Sequence, residues 1–90
     1  MLFFGLSLLG LTHCKHNITQ KDAEILAQKS LQEYCIRERL SPETFQAPTV
    51  TSEGSYPWVY DYESKTLPKH FVRIYIDKEG KVERHRMVDE

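Results

Sequence analysis

Two cysteines, one tryptophan, four glycines and four prolines in 90 residues rule out several kinds of protein at once. Two thiols permit one disulfide at most, so no cystine framework holds this chain together. There is no pair of Cys motifs for zinc, no helical segment with two metal-spaced His, and no Gly-rich phosphate loop. His13, Cys14 and His16 lie close together, but their spacing fits no established metal site. Charge of one sign is missing as well. A net charge of −1, with both signs interspersed, gives no general attraction to nucleic acid or to an anionic membrane. No metal, cofactor or nucleic-acid partner is therefore expected. A nucleophile with a base could be assembled only from Cys35 with His70 or His85, and Cys35 falls on the core side of a predicted helix. A protein that is not an enzyme is the expectation.

A hydrophobic content of 40% beside 28% charge describes a globular chain, and its length allows one small domain. The apolar stretch from Met1 to Leu11 contains two Phe, five Leu and no charged residue. It is far short of the roughly 20 residues of a spanning helix, but it matches the apolar region of about 7–15 residues in a signal peptide. It would be excessive for one face of a small domain, and Gly5, Ser7 and Gly10 interrupt any helical stripe. Residues 1–14 are therefore expected to be a leader ending at Cys14, with 15–90 as a single domain.

Behind the leader, Thr19 and Asp22 form the pattern of a capped helix start. Ala23, Leu26, Ala27, Ser30, Leu31 and Tyr34 then recur at helical spacing, which predicts a helix from about Lys21 to Ile36, extending at most to Arg39. Its small residues would let it sit close against a sheet. Ser41-Pro42-Glu43 supplies a cap and one short turn. Residues 47–57 read as a long loop, or as a weak edge strand around Val50 broken by a turn at Glu53-Gly54. Trp58 to Tyr62, His70 to Asp77 and Lys81 to Val88 are predicted strands, the last two joined by a turn with Gly80 at the position needing positive φ.

That turn sets Asp77 opposite Lys81, Ile76 opposite Val82 and Val72 opposite Arg86. One face then carries Val72, Ile74, Ile76, Val82 and Val88, joined by Arg84 and Arg86. The other carries Phe71, Arg73, Tyr75, Glu83, His85 and Met87. A one-residue slip would scatter the aliphatic set, so this register is preferred and the helix is expected on the first face. The expected architecture is α+β: one N-terminal helix on a curved antiparallel sheet of three to four strands, in two layers. The second face is either a wet, mixed surface, or covered by the 41–57 loop, or a contact surface. Tyr, Trp, Arg and Met are enriched at protein contacts. The candidate partner-binding residues are accordingly Phe71, Arg73, Tyr75, His85 and Met87, with Trp58 and its adjoining loop as a second location.

Leu11-Thr12-His13-Cys14 resembles the bacterial lipobox, with Leu three residues before the cysteine; His13 stands where that motif carries a small residue. The resemblance implies a lipid on Cys14 and an address on the periplasmic face of the cell envelope. The alternative is a secreted or soluble periplasmic protein, with Cys14 free to pair with Cys35. The motif's charged n-region is also absent, and a start upstream of Met1 would supply it. The segment PKHFVRIYIDKEGKVE, behind a short leader and one helix, resembles small exported bacterial immunity proteins of the cystatin-like or nuclear-transport-factor-like α+β kind. With no second and third N-terminal helices, the smaller cystatin-like layout is the closer match. The resemblance implies an envelope-anchored immunity protein or inhibitor that occludes a protein partner, for instance a toxin. A structural lipoprotein scaffolding an envelope complex is the alternative. A toxin gene immediately upstream would favour the first, and an operon of envelope-assembly genes the second. Mass spectrometry of the native protein should find a lipid-modified peptide beginning at Cys14; an intact Met1, or Cys14 bridged to Cys35, would exclude the anchor.

Overall fold

The computed structural model describes residues 17–89, so the expected leader and Cys14 lie outside the described residues. The helix α1 spans Gln20–Glu38. Thr19 opens it as expected: its hydroxyl accepts the amide of Asp22, and the Asp22 carboxylate accepts the amide of Thr19, both at 3.1 Å. Two otherwise orphaned donors are thereby satisfied. The helix ends at Arg39 in the left-handed conformation (φ 59°), where the amide of Leu40 closes back on the carbonyl of Cys35 at 2.8 Å. A 3-10 turn, Pro42–Thr44, follows and packs on α1.

Four strands complete the domain: β1 (Thr49–Glu53), β2 (Tyr56–Glu63), β3 (His70–Ile76) and β4 (Val82–Val88). They form one antiparallel meander in the order β1-β2-β3-β4. The weak edge strand around Val50 is real, so the segment expected as a possible cover for the second face instead extends the sheet. The β3–β4 register is the expected one, with Ile76 opposite Val82 and Val72 opposite Arg86. Asp77 shapes the turn that sets it, accepting the amides of Glu79 and Lys81 at 2.9 Å each on one carboxylate oxygen. Gly80 sits at φ 92°, a conformation that favours glycine, and a β-carbon there would press on the Ile18 side chain at 3.3 Å. The amide of Ile18 donates to the carbonyl of Lys78 at 2.9 Å, which ties the entrance of the helix to this turn.

The core lies between α1 and one sheet face. Ala23, Ala27, Leu31, Tyr34 and Cys35 meet Tyr60, Tyr62, Val72, Ile74 and Ile76, with Trp58 and Phe45 packed at the margin. Alanine at two successive inward turns brings the helix axis close to β3, and Ile74 and Ile76 are left with no exposed surface. Each such side chain contributes about 1.5–3 kcal/mol on burial. Burial also raises the Cys35 thiol pKa above its ordinary value and pushes the Tyr62 hydroxyl up to about 12; that hydroxyl has no hydrogen-bond partner among the described residues.

Arg84 shares this face and adapts to it. Its guanidinium donates to the carbonyl oxygen of Ser30 at 2.7 Å, approaches Glu33 at 3.8 Å and lies over the Tyr34 ring at 5.8 Å. A long side chain thus lines the core with its stem and spends its charge on the helix. Ile74→Asp should remove several kcal/mol and unfold the domain, since an unpaired carboxylate would be buried beneath α1. Tyr75→Ser, one residue on and facing the other way, should lower the urea midpoint far less; equal losses would mean that both faces are packed.

Candidate protein-docking face

Alternation along the strands turns every second residue away from the helix. The register lines these residues up in rows across the sheet. Thr51, Val59, Tyr75 and Glu83 make one row; Thr49, Asp61, Arg73 and His85 the next; Glu63, Phe71 and Met87 the third. Among the described elements, α1 lies on the opposite face and the 3-10 turn contacts only α1. Phe71, Arg73, Tyr75 and Met87 remain half-buried, Glu83 and His85 are exposed, and only Val59, at 1% exposure, is enclosed by its neighbours.

Two local assemblies organise this face. Arg73 donates from Nε and Nη2 to the two carboxylate oxygens of Asp61, at 2.8 and 3.0 Å, while its guanidinium lies 5.3 Å from the centre of the Phe71 ring. The Asp61 hydrogen bond raises the pKa of Arg73 still further. Bidentate geometry in a partly desolvated position makes this a stronger contact than an open surface pair. Arg73 is one of the candidate contact residues, and Asp61 already occupies its guanidinium fork.

The second assembly surrounds Glu83. His85 Nε2 lies 2.8 Å from one of its oxygens, and the Tyr56 hydroxyl donates to the other at 3.1 Å. Tyr75 stands between, its ring 5.0 Å from that of Tyr56 and 5.7 Å edge-on from that of His85. Hydrogen bonds from His85 first and Tyr56 second hold the Glu83 carboxyl below the usual carboxylate range, and the same bond raises the Tyr56 hydroxyl. The result is an aromatic ridge locked by one carboxylate.

Tyr56 was missed from the sequence, where Pro57 seemed to close a loop. The pairing explains its position. Thr51 faces Val59 and Glu53 faces Tyr56, so Ser52 alone opposes both Pro57 and Trp58. This is a β-bulge, a place where proline is tolerated because no ladder amide is needed. The extra residue reverses the alternation, so Tyr56 turns toward Tyr75 although it lies two positions before core-facing Trp58. Of the six expected contact residues, Phe71, Arg73, Tyr75, His85 and Met87 are gathered on one face. Trp58 stands on the opposite face, across from Ile76 and against the core.

Among the described residues, no three His, Cys, Asp or Glu side chains are grouped so as to hold a metal ion. Comparisons with protein-family models, curated proteins and solved structures give no match. Because the folded state lowers the Glu83 pKa, the cluster's stabilisation should be present above the ordinary Glu value of about 4.3 and be lost as pH falls through the lowered one. Carboxyl NMR should find the Glu83 midpoint below the ordinary range, and His85→Ala should raise it; an unchanged midpoint would remove His85 as the cause.

Proposed function

We propose that the protein is a non-enzymatic binding protein of the bacterial envelope, anchored through Cys14, that occludes a protein partner with the sheet face opposite α1. An immunity protein or inhibitor on a cystatin-like layout is the form this takes. One observation carries the reading: an aromatic and methionine-bearing face, on which Asp61 holds Arg73 and Glu83 holds His85 and Tyr56, lies opposite the one described α-helix. Preorganised side chains lose little freedom on association, which favours tight occlusion of a partner. Tyr75 is the central anchor, flanked by the Tyr56 and His85 rings. Phe71 and Met87, paired across β3 and β4, extend the apolar surface. Arg73 serves by keeping Asp61 neutralised and Phe71 in place.

The address rests on the lipobox-like LTHC stretch, since a multiply acylated cysteine holds a chain at a membrane where a single acyl chain binds only marginally. A Tyr75→Ala, Met87→Ala chain should keep its circular dichroism spectrum and weaken partner binding at least tenfold, since a truncated central anchor typically removes about 1–2 kcal/mol or more. The readout is survival of a host that co-expresses the product of the gene immediately upstream. Full protection by the folded double variant would overturn the face as the site.

A further inference from the structure

The outer edge of β4 carries information that the docking face does not. The amide of Asp77 donates to the carbonyl of Lys81 at 3.0 Å, and the amide of Asp89 donates to the carbonyl of Lys69 at 2.8 Å, one pair at each end of the β3–β4 ladder. Hydrogen-bonded pairs alternate along an antiparallel ladder. Glu83, His85 and Met87 therefore direct their backbone groups toward β3, and Val82, Arg84, Arg86 and Val88 direct theirs outward. The sheet order ends at β4. Its pairing runs without a shift from His70–Val88 to Ile76–Val82, and it contains no proline. The opposite edge, β1, is shorter and joins its neighbour with an irregularity between Thr51 and Glu53. Of the two edges, β4 is the better template for an added strand.

The side chains of these outward residues point to the helix side, beside a groove of about 440 Å³ between α1 and β4. Lys29, Arg37, Arg84 and Arg86 line it with a single carboxylate, Glu33; Arg84 is bound to Ser30 and lies near Glu33, and Arg37 pairs with Glu38 at 3.2 Å, so Lys29 and Arg86 carry the groove's uncommitted charge among the described residues. A strand laid against β4 would send every second side chain over this groove. A second copy of β4 fits poorly. Antiparallel self-pairing that keeps the helices on one side and is centred on residue 83, 84, 85 or 86 sets Glu83 on Glu83, Arg84 on Arg84, Arg84 on Arg86, or Arg86 on Arg86. Charge thus selects a different occupant.

We propose that the β4 edge receives, by strand addition, an extended segment of a protein partner with carboxylates at alternate positions that enter the α1–β4 groove. Backbone pairing supplies the attachment, and the basic groove supplies the choice of sequence. This surface is distinct from the docking face, and either can be lost alone.

The probe is a blocked octapeptide alternating threonine and glutamate, with a threonine–lysine octapeptide as control, added to the full chain and followed by amide hydrogen exchange. Exchange should slow at Arg84 and Arg86 and stay unchanged at Glu83, His85 and Met87. The lysine peptide should bind at least tenfold more weakly, and added salt should loosen the glutamate peptide. Arg86→Gln should weaken binding several-fold; Arg86→Pro should abolish it without altering the circular dichroism spectrum, because the amide removed faces away from β3. Tyr75→Ala, Met87→Ala should bind the peptide like the native chain, which keeps failure of this edge separate from failure of the face. Equal binding of both peptides, no binding, protection at Thr49–Glu53 instead, or slow exchange at Arg84 and Arg86 before any peptide is added would each overturn the proposal.

Discussion

A single helix has one apolar stripe, and in this chain the stripe is used up on one side of the sheet. Ala23 and Ala27 bring α1 down onto Ile74 and Ile76 so closely that all four side chains lose their exposure. The division of the sheet into a covered and an uncovered face follows from that contact. The β3–β4 register must keep Val72, Ile74 and Ile76 inward, so Phe71, Arg73 and Tyr75 must face outward, and the chain has no second helix among its described residues to cover them. The uncovered face is the geometric remainder of building a core from one helix and four strands.

Charge is managed differently on the two sides. On the helix side Arg84 is drawn inward and bound to a helix carbonyl, while Arg86 and Lys29 line an open groove with little acidic balance. On the far side the polar groups close on each other: Arg73 with Asp61, His85 and Tyr56 with Glu83. The first arrangement leaves an open groove of mainly basic lining. The second presents rings held by hydrogen-bonded side chains.

Much of this was legible before any coordinates. Thr19 and Asp22 announced the helix, and the aliphatic alternation in β3 allowed only one register with β4. The five residues of the outer face follow from that register and from nothing else. Other features depended on distant partners that local pattern does not encode. Arg73 looked free because Asp61, its acceptor, lies twelve residues away on another strand. Trp58, the first residue of a predicted strand, was grouped with its adjoining loop as a second location, but its phase with Tyr60 and Tyr62 turns it to the core. Tyr56 was hidden because alternation assumes an unbroken strand, and the bulge opposite Ser52 violates that assumption.

That bulge sets a rule for how such a domain can vary over time. The residues between Gly54 and Trp58 act as a phase element: their number, more than their chemistry, decides which way the aromatic ring before the proline is aimed. A lineage that gained or lost one residue there would keep its helix, its aliphatic core and its β3–β4 ladder, since none of these lies within the hairpin. It would nevertheless rotate one ring off the outer surface and release Glu83 from one of its two donors. Hairpin length is therefore a heritable dial on the exposed ridge, adjustable in single steps and nearly decoupled from the folding of the rest.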